Sequence, residues 1–204
     1  MAGARRNVPV LYSNPVGLDS HRVRFVLAEK GVEHSCEDRS AGAAHSDLLE
    51  LNASGSLPTL VDRDLVLYDG RVIIDYLDER VPHPPLMPMD PVSRARTRLA
   101  LYQMHRDWDS ALPDEGDKMS SSAAKRLTAS LREAAEVFSA LPYFLSSDFS
   151  ILDAMLGPLL WRLPCYGIVL SRAGKPVDAY ARRLFARPGF QASLSSAERA
   201  MAES

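Results

Sequence analysis

The sequence changes character once, at a proline-rich stretch near residue 82, and this change constrains the fold more than any other feature. Residues 81–88 read VPHPPLMP and hold four of the chain's 14 prolines. Before them, short apolar runs alternate with amphipathic segments, whereas the periodic segments after them have helical spacing. Proline fixes φ and removes a backbone donor, so it ends regular structure. The sequence therefore predicts an α/β part followed by an all-helical part.

The first eighty residues predict a small mixed sheet with helices on its faces. Strands are expected at 8–12, 32–36, 56–62 and 65–67, and helices at 20–30, 45–51 and 72–77. Asp19 or Ser20 is expected to cap the first helix, and Gly31 to end it. Pro58 can open the third strand, because proline is tolerated at a strand start but not in the middle of a central strand.

The remaining residues predict a helical bundle. Helices are expected at 92–112, 123–141, 154–161 and 177–185, with a short one at the end. The second of these has a heptad-like apolar stripe made of Leu127, Leu131, Ala134, Phe138 and Leu141. Capping boxes are expected from Ser150 to Asp153 and from Ser195 to Glu198. The helix after Ser150 is almost wholly apolar, which is typical of a helix at the centre of a domain.

Composition and charge exclude several functional classes. A chain of 204 residues with 46% hydrophobic and 25% charged residues can fold without a disulfide or a metal. Its net charge of −2 gives no reason to expect nucleic-acid binding. Neither Cys36 and Cys165 nor the histidines have metal-ligand spacing, so no metal is expected. Without a secretory signal or a long apolar run, we expect a soluble cytoplasmic protein.

The order of elements, the SLPTL strand at 56–60 and the S-x-x-D box at 150–153 resemble the glutathione S-transferase superfamily. The resemblance implies a thioredoxin-like domain at residues 1–81, a proline-rich linker or surface at 82–90 and an all-helical domain at 91–204. It also implies a cis bond between Leu57 and Pro58. Only about 5–6% of X–Pro bonds in folded proteins are cis, so the geometry of this bond tests the resemblance.

A closer resemblance covers nearly the whole chain. Several segments are similar to the stringent starvation protein A family, bacterial proteins of the transferase fold that associate with RNA polymerase. These segments read SHRVR (20–24), LAEKG (27–31), PTLVDR (58–63), YLDER (76–80), PHPPLMP (82–88) and LLWRLP (159–164). The last two are particular to that family, whereas the proline strand is shared by transferase-like proteins generally. Residues 110–124 depart from the family pattern.

Transferases of this fold place a Tyr, Ser or Cys between the first strand and the first helix, where it lowers the pKa of the glutathione thiol. Here Ser13 is the weak candidate, because Tyr12 ends the strand and Ser20 is expected to cap the helix. We expect no catalytic residue. A catalytic Ser13 hydroxyl belongs to the alternative, enzymatic interpretation.

The resemblance also assigns a glutathione site. In active relatives an acidic residue followed by serine opens the third helix, whereas this chain has Asp69 followed by Gly70. A lost hydrogen bond to a charged ligand group costs about 1.5–3 kcal/mol. We therefore expect no cofactor and a vestigial glutathione site, whose residues are Leu57, Pro58, Asp69 and Gly70. The backbone N–H groups at the helix start could still bind an anion.

The proline-rich stretch has two interpretations. It can be a rigid linker between the two parts, or a pre-ordered surface that loses little entropy when a partner binds. A linker needs neither the histidine nor the apolar pair Leu86 and Met87. The resemblance implies a surface pocket that activation of transcription requires. We favour recognition, with a proline segment, residues 82–85, whose partner-binding residues are Pro82, His83, Pro84 and Pro85.

Other side chains are expected to have structural roles. His105 is expected at the surface or satisfied in the core, and Cys36 as a small apolar residue in the second strand. A solvated helix face, with a partner contact as the alternative, is expected from Arg94, Arg98 and Arg106, paired with Asp107 and Asp109.

The resemblance implies a non-enzymatic transcription regulator of the stress or starvation response. It would act as a homodimer that contacts RNA polymerase holoenzyme through the σ subunit, without reading DNA bases itself. The alternative is a glutathione-dependent transferase or another glutathione-binding enzyme.

Overall fold

The fold begins with a four-stranded sheet, seen in a computed structural model that describes residues 8–40, 46–113, 117–170 and 174–201. The strands are β1 (Val10–Ser13), β2 (Ser35–Asp38), β3 (Thr59–Asp62) and β4 (Leu65–Tyr68). Their order is β2-β1-β3-β4, with β1 parallel to β2 and antiparallel to β3, which in turn pairs antiparallel with β4. This confirms the predicted small mixed sheet.

Three helices accompany the sheet: α1 (Leu18–Glu29), α2 (Ser46–Leu51) and α3 (Gly70–Arg80). The predicted cap of α1 is wrong. Gly17 is the N-cap, and the Ser20 hydroxyl accepts a hydrogen bond of 3.0 Å from the Asn14 amide instead. Residues 20–27 of α1 are all buried, because α1 packs against α3 on one side and helices of the second part on the other.

The second part is helical, as predicted. Its helices are α4 (Pro91–Asp107), α5 (Ser121–Glu133), α6 (Ala135–Ala140), α7 (Ile151–Arg162), α8 (Lys175–Phe185), α9 (Pro188–Ser193) and α10 (Ser196–Met201). None of the helices in the described ranges combines the length and the apolar character needed to cross a membrane. The division into domains at residues 81 and 91 stays a prediction.

Two helices are shorter than predicted. The helix expected at 92–112 ends at Asp107, where the buried Trp108 donates from Nε1 to the Ser130 hydroxyl at 2.9 Å, and a 3-10 turn follows. The helix expected at 123–141 is divided at Ala134 into α5 and α6. Its predicted stripe packs into the core through Leu127, Leu131 and Phe138, whereas Leu141 is exposed.

α7 lies at the centre of the helical part. Residues 151–160 are all buried, which confirms the interpretation of the apolar run. The predicted capping box is present: the Asp153 carboxylate accepts from the Ser150 amide at 2.8 Å, and the Ser150 hydroxyl accepts from the Leu152 amide at 3.3 Å. A Cβ at Gly157 would lie 3.1 Å from Phe190 and 3.2 Å from Phe25, so glycine permits the close approach of α1 and α9.

The apolar pair after the proline segment belongs to the core. Leu86 and Met87 are 2% and 7% exposed, and they join the same cluster as Leu11 of the sheet and Leu156 of α7. The expectation that this pair supports a recognition surface is therefore wrong. Burial of apolar side chains accounts for both residues.

Candidate functional site

A cleft of about 640 Å³ lies between the β1–α1 loop with the start of α3 and the helical part. Its helical wall includes His105 of α4, Arg162 of α7, and the Cys165–Tyr166 turn that follows α7. Leu57 and Asp69 line the opposite wall. Sequence reasoning missed Cys165 and Tyr166 as cleft residues, because nothing in their local pattern indicates where the end of α7 points.

Ser13 is placed behind the cleft. The residue is fully buried, and its hydroxyl accepts a hydrogen bond from the Arg24 guanidinium group. Arg24 also donates to the Asn14 carbonyl at 3.1 Å and to the Ser193 carbonyl at 2.9 Å. A hydroxyl held in this way faces the interior, which disfavours contact with a thiol in the cleft.

The start of α3 is occupied by its own residues. The Asp69 carboxylate accepts hydrogen bonds from the amides of Arg71 and Val72 at 2.9 and 3.4 Å, and thus caps the helix. A Cβ at Gly70 would lie 3.0 Å from the Cβ of Asp19. A serine here would therefore require Asp19 to shift by a few tenths of an ångström, and this close approach favours glycine at position 70.

The Leu57–Pro58 bond is cis, as the resemblance implied. Leu57 lines the cleft and Pro58 is buried at the start of β3. The structure thus brings Leu57, Asp69 and the β1–α1 loop together around one cleft. Their assignment to a glutathione site stays a prediction.

A buried ion pair crosses the cleft floor. Arg22 of α1 donates two hydrogen bonds to the Asp109 carboxylate, at 3.1 and 2.7 Å, and one of 2.9 Å to Asp19. Burial lowers the pKa of Arg22, but the two carboxylates outweigh burial and raise it above its ordinary value. The predicted pairing of Asp109 with the arginines of α4 is therefore wrong, whereas Arg106 pairs with Asp107 at 2.6 Å as expected.

A second buried network lies behind the β1–α1 loop. The Glu198 carboxylate of α10 is fully buried and binds Arg24 at 2.6 Å and Arg162 at 2.5 Å. Its predicted capping box is also present, since Glu198 accepts from the Ser195 amide at 3.0 Å and Ser195 from the Glu198 amide at 3.0 Å.

His21 belongs to this network in its neutral form. Burial, followed by the charges of Arg162, Arg24 and Arg22, lowers its pKa well below the ordinary value of 6.5. Nδ1 accepts from Arg162 at 2.9 Å, which assigns the proton to Nε2, 3.1 Å from the Ser193 hydroxyl. The 3.3 Å approach of Nδ1 to Glu198 is then not a salt bridge, because the ring carries no charge.

Together, these side chains hold the β1–α1 loop by its backbone. Arg162 donates to the carbonyls of Val16 and Gly17 at 2.9 and 3.3 Å, and Ser195 donates to the carbonyl of Pro15 at 2.5 Å. The loop that carries the catalytic group in transferases is thus held by groups 145 to 180 residues away in sequence.

The proline segment lies outside the cleft lining. Pro82, His83, Pro84 and Pro85 are all exposed, and the His83–Pro84 bond is cis, which sequence reasoning did not predict. Lys30 and Asp78 lie beneath the segment. Lys30 donates to the Val81 and Pro84 carbonyls, and Asp78 accepts from the amides of Leu86 and Met87.

The remaining candidates have structural positions. Cys36 is exposed, so the expectation that it packs as an apolar residue is wrong; the edge strand β2 is exposed along its length. His105 is half-exposed, with Nδ1 3.7 Å from Asp109. Within the described ranges, no three His, Cys, Asp or Glu side chains converge as metal ligands would.

Comparisons with known proteins agree with this geometry. The family model of the glutathione S-transferase N-terminal domain matches residues 20–80. Among solved structures, a glutathione S-transferase from the Antarctic clam Laternula elliptica has a TM-score of 0.81 at 20% identity, with 96% of this chain and 94% of that chain covered. A likeness at this identity shows the fold alone.

Sequence relatives are more specific. A stringent starvation protein A homolog of Coxiella burnetii is 45% identical over 98% of this chain and 97% of that protein. The homolog of Pasteurella multocida is 44% identical over 95% of this chain and 93% of that protein. Glutathione S-transferase Z1 of Arabidopsis thaliana is 39% identical, but over 47% of this chain and 44% of that protein. The chain therefore has the glutathione S-transferase fold and belongs to the stringent starvation protein A family.

Proposed function

We propose that this chain is a non-enzymatic transcription regulator of the stress or starvation response, which binds RNA polymerase holoenzyme through the σ subunit. The family resemblance supports this partner, and the partner implies a cytoplasmic location in a bacterium. The observation that carries the proposal is the proline segment, whose side chains are exposed while its flanking backbone is hydrogen-bonded to buried charges. A surface that is already ordered loses little conformational entropy when it binds.

The cleft geometry supports a non-enzymatic role. A transferase needs a donor beside the thiol and a polar group at the start of α3. In this chain the Ser13 hydroxyl is directed toward Arg24, the Asp69 carboxylate caps its own helix, and Gly70 supplies no hydroxyl. These three features mean that the groups the resemblance implies for activating and binding glutathione are either missing or bonded within the protein.

The proposed regulator acts as a homodimer. Large apolar side chains stay about half-exposed on α4, on α3 and on the adjoining strand β4; they are Val92, Leu99, Tyr102, Val72 and Tyr68. Exposed apolar side chains of this size mark protein–protein contacts when they are contiguous. A two-fold contact between copies of this chain would bury them.

The proposal is tested by measuring the affinity of the full chain for purified σ subunit, core polymerase and holoenzyme. We expect the wild type to bind holoenzyme and σ, and His83→Ala to bind at least tenfold more weakly, as for a residue at the centre of an interface. His105→Ala is the matched control, because it removes another exposed histidine outside the proline segment. The proposal fails if the wild type binds none of the three, or if both variants bind as tightly as the wild type.

A glutathione-dependent enzyme is the second candidate. The observation in its favour is the cleft itself, which has a volume of about 640 Å³ and is lined by Leu57 and Asp69. Calorimetric titration with glutathione and a conjugation assay with a general electrophile distinguish the two candidates. Micromolar glutathione binding with turnover that Ser13→Ala abolishes would favour the enzyme, whereas no binding and no turnover favour the regulator.

A further inference from the structure

The proline segment is held from inside the protein by one buried lysine. Lys30, the residue that ends α1, is 7% exposed, and its ammonium group lies beneath residues 82–85. It donates to the Val81 carbonyl at 2.6 Å and to the Pro84 carbonyl at 2.9 Å, and it forms an ion pair with Asp78, whose Oδ1 lies 2.8 Å from Nζ. An ammonium group has three N–H donors, and the two carbonyls and the carboxylate place three oxygens within 2.9 Å of it.

Asp78 of α3 holds the other end of the same segment. Its Oδ1 accepts from the Leu86 amide at 2.9 Å and its Oδ2 from the Met87 amide at 3.1 Å. The Leu86 carbonyl in turn accepts from the Ile151 amide at the start of α7, at 3.0 Å. The backbone is therefore bound before, within and after the proline segment.

The contribution of the ion pair to stability does not explain why a lysine is buried here. Removing an ammonium group and a carboxylate from water costs several kcal/mol for each ion, and an apolar pair of the same volume is often at least as stable. The ion pair makes hydrogen bonds to the backbone that an apolar pair could not make. It supplies donors to two carbonyls and acceptors to two amides of a segment whose prolines leave its backbone without regular hydrogen bonds.

We infer that Lys30 and Asp78 are positioning residues for the proline segment: they hold residues 82–85 in a single conformation, with His83 exposed, before a partner arrives. This inference rests on the proposed function for its biological meaning, but its physical content concerns the free protein. We call the pair the Lys30–Asp78 clamp. Neither residue needs to touch the partner, because both act through the backbone.

Amide hydrogen exchange in the free, full-length protein tests the clamp directly. In Lys30→Met, which keeps the length of the side chain, the Leu86 and Met87 amides are expected to exchange about tenfold to a hundredfold faster relative to the amides of β1 and β3. Lys30→Met removes the hydrogen bonds to the Val81 and Pro84 carbonyls and the counter-charge of Asp78, so the backbone that leads into these two amides is released. Losing hydrogen bonds to a charged group corresponds to about this factor. Asp78→Ala should give a larger effect than Asp78→Asn, since the amide side chain keeps one acceptor. The inference is overturned if these two amides exchange no faster than those of the sheet.

A matched control separates positioning from general instability. Leu127→Ala creates a cavity by truncating a fully buried side chain of α5, a helix that supplies none of the hydrogen bonds or ion pairs of the clamp. It should accelerate exchange without singling out Leu86 and Met87. If Lys30→Met and Leu127→Ala give the same pattern, the clamp contributes stability alone and the inference fails.

Affinity for the holoenzyme then distinguishes the clamp from the proposed function. If the wild type binds, Lys30→Met should bind about tenfold more weakly and Leu127→Ala as the wild type does. Unchanged binding by Lys30→Met overturns the positioning role and leaves the proposed function standing. If the wild type does not bind, the proposed function falls, and exchange at Leu86 and Met87 alone decides whether the clamp orders the segment.

Discussion

Arg22 and Asp109 are joined by two hydrogen bonds of 3.1 and 2.7 Å across 87 residues of sequence, and this pair ties the first helix to the turn that follows α4. The Arg22 side chain is 4% exposed and that of Asp109 13%. A guanidinium group in such a place depends on its carboxylates, because removing one partner of a buried pair leaves an uncompensated charge. The contact therefore holds the two walls of the cleft together.

Replacing Asp109 should destabilise the protein strongly. For Asp109→Ala we expect the free energy of unfolding to fall by about 3 kcal/mol, the lower end for breaking a buried pair, since Arg22 keeps Asp19 at 2.9 Å. Urea unfolding at pH 7 measures this loss. Asp107→Ala is the control, because its pair with Arg106 is exposed and should contribute nothing measurable. Equal losses in both variants would contradict the structure.

His21 should make stability depend on pH. Stability rises with pH wherever the unfolded chain binds more protons than the folded chain. The folded chain keeps His21 neutral, whereas the unfolded chain protonates it below its ordinary pKa of 6.5. Below that pH, His21 should therefore lower the free energy of unfolding by about 1.4 kcal/mol per pH unit, until the depressed folded pKa is reached.

His21→Gln isolates this contribution. Glutamine can accept from Arg162 and donate to Ser193 as the neutral ring does, but it does not titrate. The variant should lose the slope below pH 6.5, whereas the contribution of Asp153, whose pKa burial raises, stays in both proteins. Parallel pH profiles for the wild type and the variant would show that His21 is not held neutral.

Gly70 should resist replacement by serine for a steric reason. A Cβ at this position lies 3.0 Å from the Asp19 Cβ, and overpacking of this kind typically costs about 1–3 kcal/mol. Gly70→Ser should lower the free energy of unfolding in the wild-type background. In an Asp19→Gly background, the same substitution should lower it less or should raise it. A double-mutant cycle from thermal unfolding should give a coupling free energy above about 0.5 kcal/mol. A coupling near zero would mean that Asp19 does not explain the glycine.

Glu198 should be required for docking of the last helix. Glu198→Gln leaves Arg24 and Arg162 buried beside a neutral amide, and we expect a loss of about 3–5 kcal/mol. For a chain of this length, each kcal/mol lowers Tm by about 2–4 °C. Differential scanning calorimetry measures the shift. Glu133→Gln, at an exposed position on α5, should leave Tm as it is; a similar drop there would argue against the network.

The features of the fold that the sequence predicted correctly have short-range causes. Apolar periodicity placed the strands and most helices within a few residues, and both capping boxes were found because their partners are three residues apart. Errors arose where a distant contact overrides a local pattern. The helix expected through residue 112 ends at Asp107, where Trp108 packs against Ser130 and Asp109 pairs with Arg22.

In the candidate site, too, local features were predicted from the sequence and contacts between distant residues were not. Asp69 and Gly70 were identified from their order in the chain, but the steric role of Asp19 at Gly70 was not, because it depends on how α1 approaches α3. The presence of Leu86 and Met87 was taken to favour recognition over a linker, although both pack into the core. An apolar pair has the same sequence whether it lies at the surface or in the core. Only its burial in the folded structure distinguishes the two positions.

By itself, the sequence determined the two-part architecture, the strand that Pro58 opens and the exposed proline segment, because period, caps and proline geometry are local properties of the chain. Tertiary structure alone decided that Ser13 faces Arg24 rather than the cleft, that Glu198 binds Arg24 and that Lys30 and Asp78 lie beneath the prolines. A buried charge needs a partner of opposite charge, and packing of the whole chain decides which residue that partner is. These partners are up to 174 residues apart, a separation that no periodicity encodes.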